Sequence, residues 1–123
     1  MHTILLYLGR ILFGGFFIYS GYNHFANLGA MAGYTQSKGV PSAKAAVAIT
    51  GALLLIGGLS TLFDFYPLVG LTALVIFLVP VTFLMHAYWK VQDPMAKMGE
   101  SVNFRKNLAL LGATLIYIAG LLR

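Results

Sequence analysis

The sequence predicts an all-α protein, an integral membrane four-helix bundle with a short interfacial helix after the first span. Three observations carry this. The 123 residues are 59% hydrophobic and only 9% charged, with a mean hydropathy of +0.85, whereas a water-facing domain carries about a quarter charged residues. The apolar residues fall into four runs, 3–22, 43–63, 66–88 and 103–122, each close to the ~20 residues that cross ~30 Å of hydrocarbon as a helix. None of the runs alternates with period two, so barrel strands are excluded, and helices keep every backbone N–H and C=O paired in lipid.

The first run carries Arg10 within it and lacks a small-residue cleavage site, so it reads as a retained span and not as a cleaved leader. In the link that follows, Phe25, Leu28, Met31, Ala32 and Tyr34 recur at near-helical spacing and predict an amphipathic helix in the interface. Lys38-Gly39-Val40-Pro41-Ser42 is a turn, with Ser42 the expected N-cap of the second span. Only Asp64 and Phe65 separate spans two and three, which must then be antiparallel neighbours. Pro80 lies inside the third span and predicts a kink. The polar link 89–102 holds Asp93-Pro94 and Gly99-Glu100-Ser101, and Ser101 or Asn103 is the expected cap of the fourth span. The length suits one domain over 1–123.

The net charge is +5. The basic residues stand singly at the edges of the apolar runs, a pattern of membrane topology and not of a nucleic-acid stripe. There is no cysteine, which excludes disulfides, thiolate metal sites and CxxC redox chemistry within this chain. No Ser-His-Asp set, carboxylate pair or phosphate-binding glycine loop is present.

Two groups of polar residues stand out. Arg10 lies about two turns inside the first span, where a charge is costly and is paired or turned to the bundle interior. At 100° per residue it shares a stripe with Gly14, Phe17, Gly21 and His24. Such a stripe could hold an anionic or carbonyl-bearing ligand. Alternatively Arg10 snorkels or pairs with Asp64, the one acid beside a span on that side. The second group collects at the opposite ends of the spans: Asn23 and His24, then His86, Trp89 and Lys90, then Asn103, Arg105, Lys106 and Asn107. His86 and Trp89, three apart, are expected to share a helix face, as are Asn103 and Asn107, four apart. A polar pocket of this kind suits a head group such as a quinone ring. The alternatives are a bis-histidine site and a hydrogen-bond network that fixes the bundle. No metal ligand set is predicted.

The stretch Leu8-Gly9-Arg10-Ile11-Leu12-Phe13-Gly14-Gly15-Phe16-Phe17-Ile18-Tyr19-Ser20-Gly21 resembles the start of the DoxX family. Phe83-Leu84-Met85-His86-Ala87-Tyr88-Trp89, with the later Asn103-Phe104-Arg105-Lys106-Asn107-Leu108-Ala109-Leu110-Leu111-Gly112, resembles its second hallmark. The resemblance implies a four-helix protein of the bacterial inner membrane. It also implies an accessory or anchor subunit of a quinone-linked redox system, with Arg10, His86, Trp89, Asn103 and Asn107 as the family-matching polar residues. Quinone is then the candidate cofactor. Membrane lipid, a redox partner protein and a homo- or hetero-oligomer are the candidate partners. The alternative is a non-catalytic structural component, or a small-solute transport component acting as an oligomer.

With four spans, the first and third links share one side and carry Lys38, Lys44, Lys90, Lys97, Arg105 and Lys106, while the other side has Arg123 and a snorkelling Arg10. The positive-inside rule puts the long links in the cytoplasm and both termini outside. A reporter fused to either terminus is expected to read non-cytoplasmic, and a cytoplasmic signal would reverse the assignment.

Overall fold

The computed structural model describes residues 1–123. It holds five α-helices, α1 (His2–Ala26), α2 (Leu28–Ser37), α3 (Ala43–Phe63), α4 (Pro67–Met85) and α5 (Pro94–Leu122), a 3-10 turn (Tyr88–Lys90), and no strand. Four segments are long and apolar enough to cross a membrane: α1, α3, α4 with the turn after it, and α5. The chain divides into two compact units, Met1–Leu74 and Val75–Arg123, with the boundary inside α4.

In the first unit α1 and α3 run antiparallel at close range. A Cβ placed on Gly58 would meet the Gly14 carbonyl oxygen and the Ile18 backbone nitrogen at 2.8 Å, and one on Gly21 would lie 3.0 Å from the Gly51 carbonyl. Helices in lipid gain little from apolar burial, because the tails are as apolar as leucine, so backbone proximity and dispersion hold them together. Glycine is what permits that proximity here. Phe17, fully buried, lies on the same face of α1, with the rings of Phe13 and Phe16 edge-on to it at 5.0 and 5.2 Å. Most large side chains elsewhere on α1, such as Leu5, Leu8, Ile11 and Leu12, are exposed, an apolar surface suited to acyl chains.

The turn from α3 to α4 is tight and strained. Asp64 and Tyr66 both have positive φ, 55° and 48°, a region costly for a residue with a Cβ. Buried Ser60 holds it: its hydroxyl donates to the carbonyls of Phe65 and Tyr66, the latter at 2.8 Å, and its own carbonyl accepts from Phe65 N–H at 3.0 Å. Pro67 then starts α4 with its φ already helical. Gly57 faces Leu74, and Gly70 faces Ser60, so α3 and the first turns of α4 are antiparallel neighbours.

Several boundaries differ from the sequence reading. Helix α1 continues past Tyr22 to Ala26, because Asn23 and His24 sit in its last turn without interrupting the ladder, and Asn27 alone separates it from α2. Ser42 precedes α3 but is left-handed (φ 51°) and makes no side-chain cap. The larger difference is α5, which starts at Pro94 and not near residue 103. Neither Ser101 nor Asn103 caps it. Asp93 does, its Oδ2 accepting from Ala96 N–H at 2.9 Å, with Pro94 in the first turn. An acidic N-cap followed by proline is a sufficient start signal, and it draws the polar stretch 94–102 into the helix.

In the second unit α4 continues unbroken through Pro80 to Met85, with Leu78, Thr82 and Met85 buried. The Thr82 hydroxyl donates back to the Leu78 carbonyl. The buried residues of α5 are Glu100, Asn107 and Thr114, seven apart and hence on one face. Its exposed face carries Val102, Leu108, Leu115 and Ile116. From Asn107 onward the helix is therefore polar inward and apolar outward, which a lipid exterior rewards.

The glycine contact yields a stability test. Gly58→Val drives carbon into the α1 backbone and is expected to destabilise by about 1–3 kcal/mol, the usual scale of overpacking, seen as a lower Tm in detergent. Gly112→Ala, with nothing within 4 Å of its Cβ position, is the control and is expected to melt with the wild type or slightly above it. Equal melting of Gly58→Val would contradict the close α1–α3 approach.

Candidate functional site

The sequence-predicted residues separate into two places. In the first unit Arg10 projects from α1 and its Nη2 lies 3.2 Å from Asp64 Oδ2 in the α3–α4 turn. The Tyr7 ring, one turn back, lies 5.7 Å from the guanidinium carbon, a cation–π distance. The Arg10 side chain is 15% exposed and Asp64 48%, so the cation is sheltered and the anion is not. No acceptor reaches the buried Arg10 Nε. The stripe of Gly14, Phe17 and Gly21 above it is covered by α3, so a helix, and not a flat ligand, fills the space those glycines leave. His24 completes the stripe, with its Nδ1 donating to the Ser20 carbonyl at 2.7 Å.

In the second unit the chain leaves the α-helix after Met85 and re-forms a 3-10 turn at Tyr88. His86 and Trp89 therefore do not share a helix face, as the spacing had suggested. The non-helical link lets two things happen at once. His86 Nδ1 comes to 3.3 Å from Glu100 Oε1 on α5. The rings of Tyr88 and Trp89 pack edge-on against Phe104, at 5.4 and 5.5 Å between centroids, and Phe83 joins at 5.6 Å. Asn103 Nδ2 donates to the same Glu100 oxygen at 3.4 Å. Asn107, one turn further along α5, is buried. An acidic residue, an imidazole and the Asn103 amide thus gather beside an aromatic cluster whose Trp89 ring is half-exposed, with buried Asn107 on the same face of α5.

Glu100 is the member the sequence reading missed. It is one of three acidic residues and is 8% exposed. Its signal was Asp93-Pro94: once α5 starts there, Glu100, Asn103, Asn107 and Thr114 fall at i, i+3, i+7 and i+14. No three His, Asp or Glu side chains converge as metal ligands. The chemistry this group can perform is hydrogen bonding to a polar head at the edge of an apolar layer.

The DoxX family model matches residues 5–87, about two thirds of the chain. The chain belongs to the DoxX family. It is a multi-pass membrane protein of that family, with four apolar helices. The matched stretch includes Arg10, His24, Asp64 and His86. It ends at Ala87, so Trp89, Glu100, Asn103 and Asn107 lie beyond it. No curated protein and no solved structure matches the chain.

The ion pair of this DoxX protein can be weighed by a double-mutant cycle with Arg10→Met and Asp64→Ala. The half-exposed carboxylate limits the expected coupling to about 0.5–1 kcal/mol, read from unfolding in detergent. A coupling of zero would mean that the contact contributes nothing to the fold.

Proposed function

We propose that this chain is an accessory or anchor subunit of a membrane redox system and that it binds a quinone ring at the His86–Glu100–Asn107 cluster. The supporting observation is a buried acid and a buried amide, Glu100 and Asn107, with part-buried His86 and Asn103 beside Glu100, in the second unit next to an aromatic group that opens outward. A buried polar group is costly unless it is hydrogen-bonded, and an intramembrane ionisable residue is a functional candidate by default. His86 and Asn107 would hold the ring oxygens and Trp89 would pack on the ring face. The prenyl tail would run along the exposed apolar side chains of α5. A bound quinone supplies reversible two-electron chemistry. The chain has no cysteine, so thiol redox steps belong to a partner protein. Arg10, paired with Asp64 in the first unit, serves the fold in this reading. The bacterial inner membrane, with both termini outside, is the proposed location.

Trp89 is the only tryptophan, which makes the test direct. Decylubiquinone added to the protein in nanodiscs is expected to quench its fluorescence saturably and to raise Tm. Both effects should be lost in His86→Leu and Asn107→Leu. Protein that retains no quinone on gentle purification, and that shows neither saturable quenching nor a Tm shift, would remove this function.

A further inference from the structure

We infer that the groove between α2 and the start of α3 seats one anionic phospholipid, with its phosphate beside Lys44 and its acyl chains along the outer face of α3. This groove belongs to the first unit and shares no residue with the proposed ring site. It has a volume of about 760 Å³, within the range of sites that hold a drug-sized ligand. Its walls include Gly29, Ala32 and Gly33 on α2 and Ala43, Lys44 and Ala45 on α3. Helix α2 packs on α3, but these three α2 residues carry nothing beyond a Cβ, so space remains between the helices. A Cβ built on Gly29 or Gly33 would meet nothing within 4 Å. Unlike Gly14 and Gly58, these glycines do not serve a close helix approach.

Depth, charge and apolar surface agree on the occupant. The 21 residues of α3 span about 31 Å, close to the ~30 Å of the acyl layer. A groove at its first turn therefore lies at head-group level, whichever way the span points. The first unit holds one carboxylate, Asp64, which closes the far end of α3 and pairs with Arg10. Lys44 thus stands about 30 Å along the helix from the one acid of its unit. It is exposed, and its flexible four-carbon stem can carry the ammonium over a group seated in the groove. An ammonium only donates, so it selects an anionic oxygen. A zwitterionic head group brings its own cation beside the phosphate, and a lysine therefore favours a head group of net negative charge. Gln36 and Ser42 also line the groove and offer an amide and a hydroxyl to glycerol oxygens. Ser42 makes no side-chain cap to α3. Lys38 adds positive charge nearby, but its ammonium lies over the Tyr34 ring at 5.4 Å and it does not line the groove. The acyl chains have a path of their own. Ala45 begins a row of exposed residues, Ala45, Ile49, Ala52, Ile56, Leu59 and Phe63, spaced alternately four and three apart and hence on one face. A soluble phosphate ester has nothing to lay along that row.

The experiment uses the full chain, delipidated in mild detergent and followed by native mass spectrometry. Phosphatidylglycerol and phosphatidylcholine with the same acyl chains are titrated separately into the wild type, Lys44→Gln, Lys38→Gln and Gly33→Leu. A wild-type Tm for each variant shows that the fold is kept. The wild type is expected to bind its first phosphatidylglycerol about fivefold more tightly than its first phosphatidylcholine, the scale of one lysine at a membrane surface. That preference should vanish in Lys44→Gln and persist in Lys38→Gln. Gly33→Leu keeps every charge and fills the groove, so the tight first binding should be lost there too. Equal affinities in the wild type, or a preference that survives either Lys44→Gln or Gly33→Leu, would overturn the inference. Equal losses in Lys38→Gln and Lys44→Gln would point to diffuse surface charge and overturn it as well. Glycerol 3-phosphate, a head group without tails, is expected not to displace the lipid, and displacement at concentrations matching the lipid would make the ligand a soluble ester instead.

Discussion

Two helices that meet in hydrocarbon cannot rely on water to push them together. What remains is contact: dispersion between backbones close enough to touch, and the hydrogen bonds that contact permits. In the first unit this constraint is met by glycine on both sides of one interface, where Gly14 and Gly58 let α1 and α3 approach until a single Cβ would collide with a carbonyl. Much of the rest follows. Because α3 covers the inner face of α1, the outer face of α1 can be a continuous array of exposed leucine and isoleucine. Because α1 is held against α3, Arg10 is carried to the α3–α4 turn, where Asp64 waits in a left-handed conformation that Ser60 stabilises from beneath.

The second unit answers the same constraint differently. Here α5 turns Glu100, Asn107 and Thr114 inward, so the buried face holds hydrogen-bonding groups rather than small residues. Thr114 satisfies itself by donating to the Leu110 carbonyl at 2.7 Å. Glu100 depends on His86 and Asn103, and therefore on the chain unwinding after Met85. A helix continued through residue 88 would have carried His86 and Trp89 round one face and separated the imidazole from the ring packing on Phe104.

The sequence made the spans legible because hydropathy integrates over twenty residues and tolerates errors at the ends. The antiparallel turn at Asp64-Phe65 was equally legible, since two residues leave no other geometry. The ends were harder. Asn23 and His24 looked like a stop because they are polar, yet the backbone ladder runs past them to Ala26. The stretch 94–102 looked like a loop because it is polar and contains glycine, although Asp93-Pro94 marks a helix start. That single misplacement hid Glu100, whose partners are set by a fold contact with His86, fourteen residues away, and not by local spacing. The polar residues on either side of it, His86, Asn103 and Asn107, were visible because they sit at the margins of apolar runs. The stripe on α1 was read at the right positions, but nothing in one helix says that another helix will cover it.

The early start of α5 has a consequence for where the protein resides. Its 29 residues extend about 44 Å, well beyond the ~30 Å of an average acyl layer. Such an excess is absorbed by leaning or by leaving one end among the phosphates. The first two turns, which carry Lys97, suit the end that would emerge. That arrangement would put Glu100, one turn further in, near the boundary between head groups and acyl chains. Longer or more saturated tails in the host lipid would draw that carboxylate under, and shorter ones would leave it hydrated. In that arrangement the polarity felt by the His86–Glu100 pair would be set partly by the lipids the cell makes.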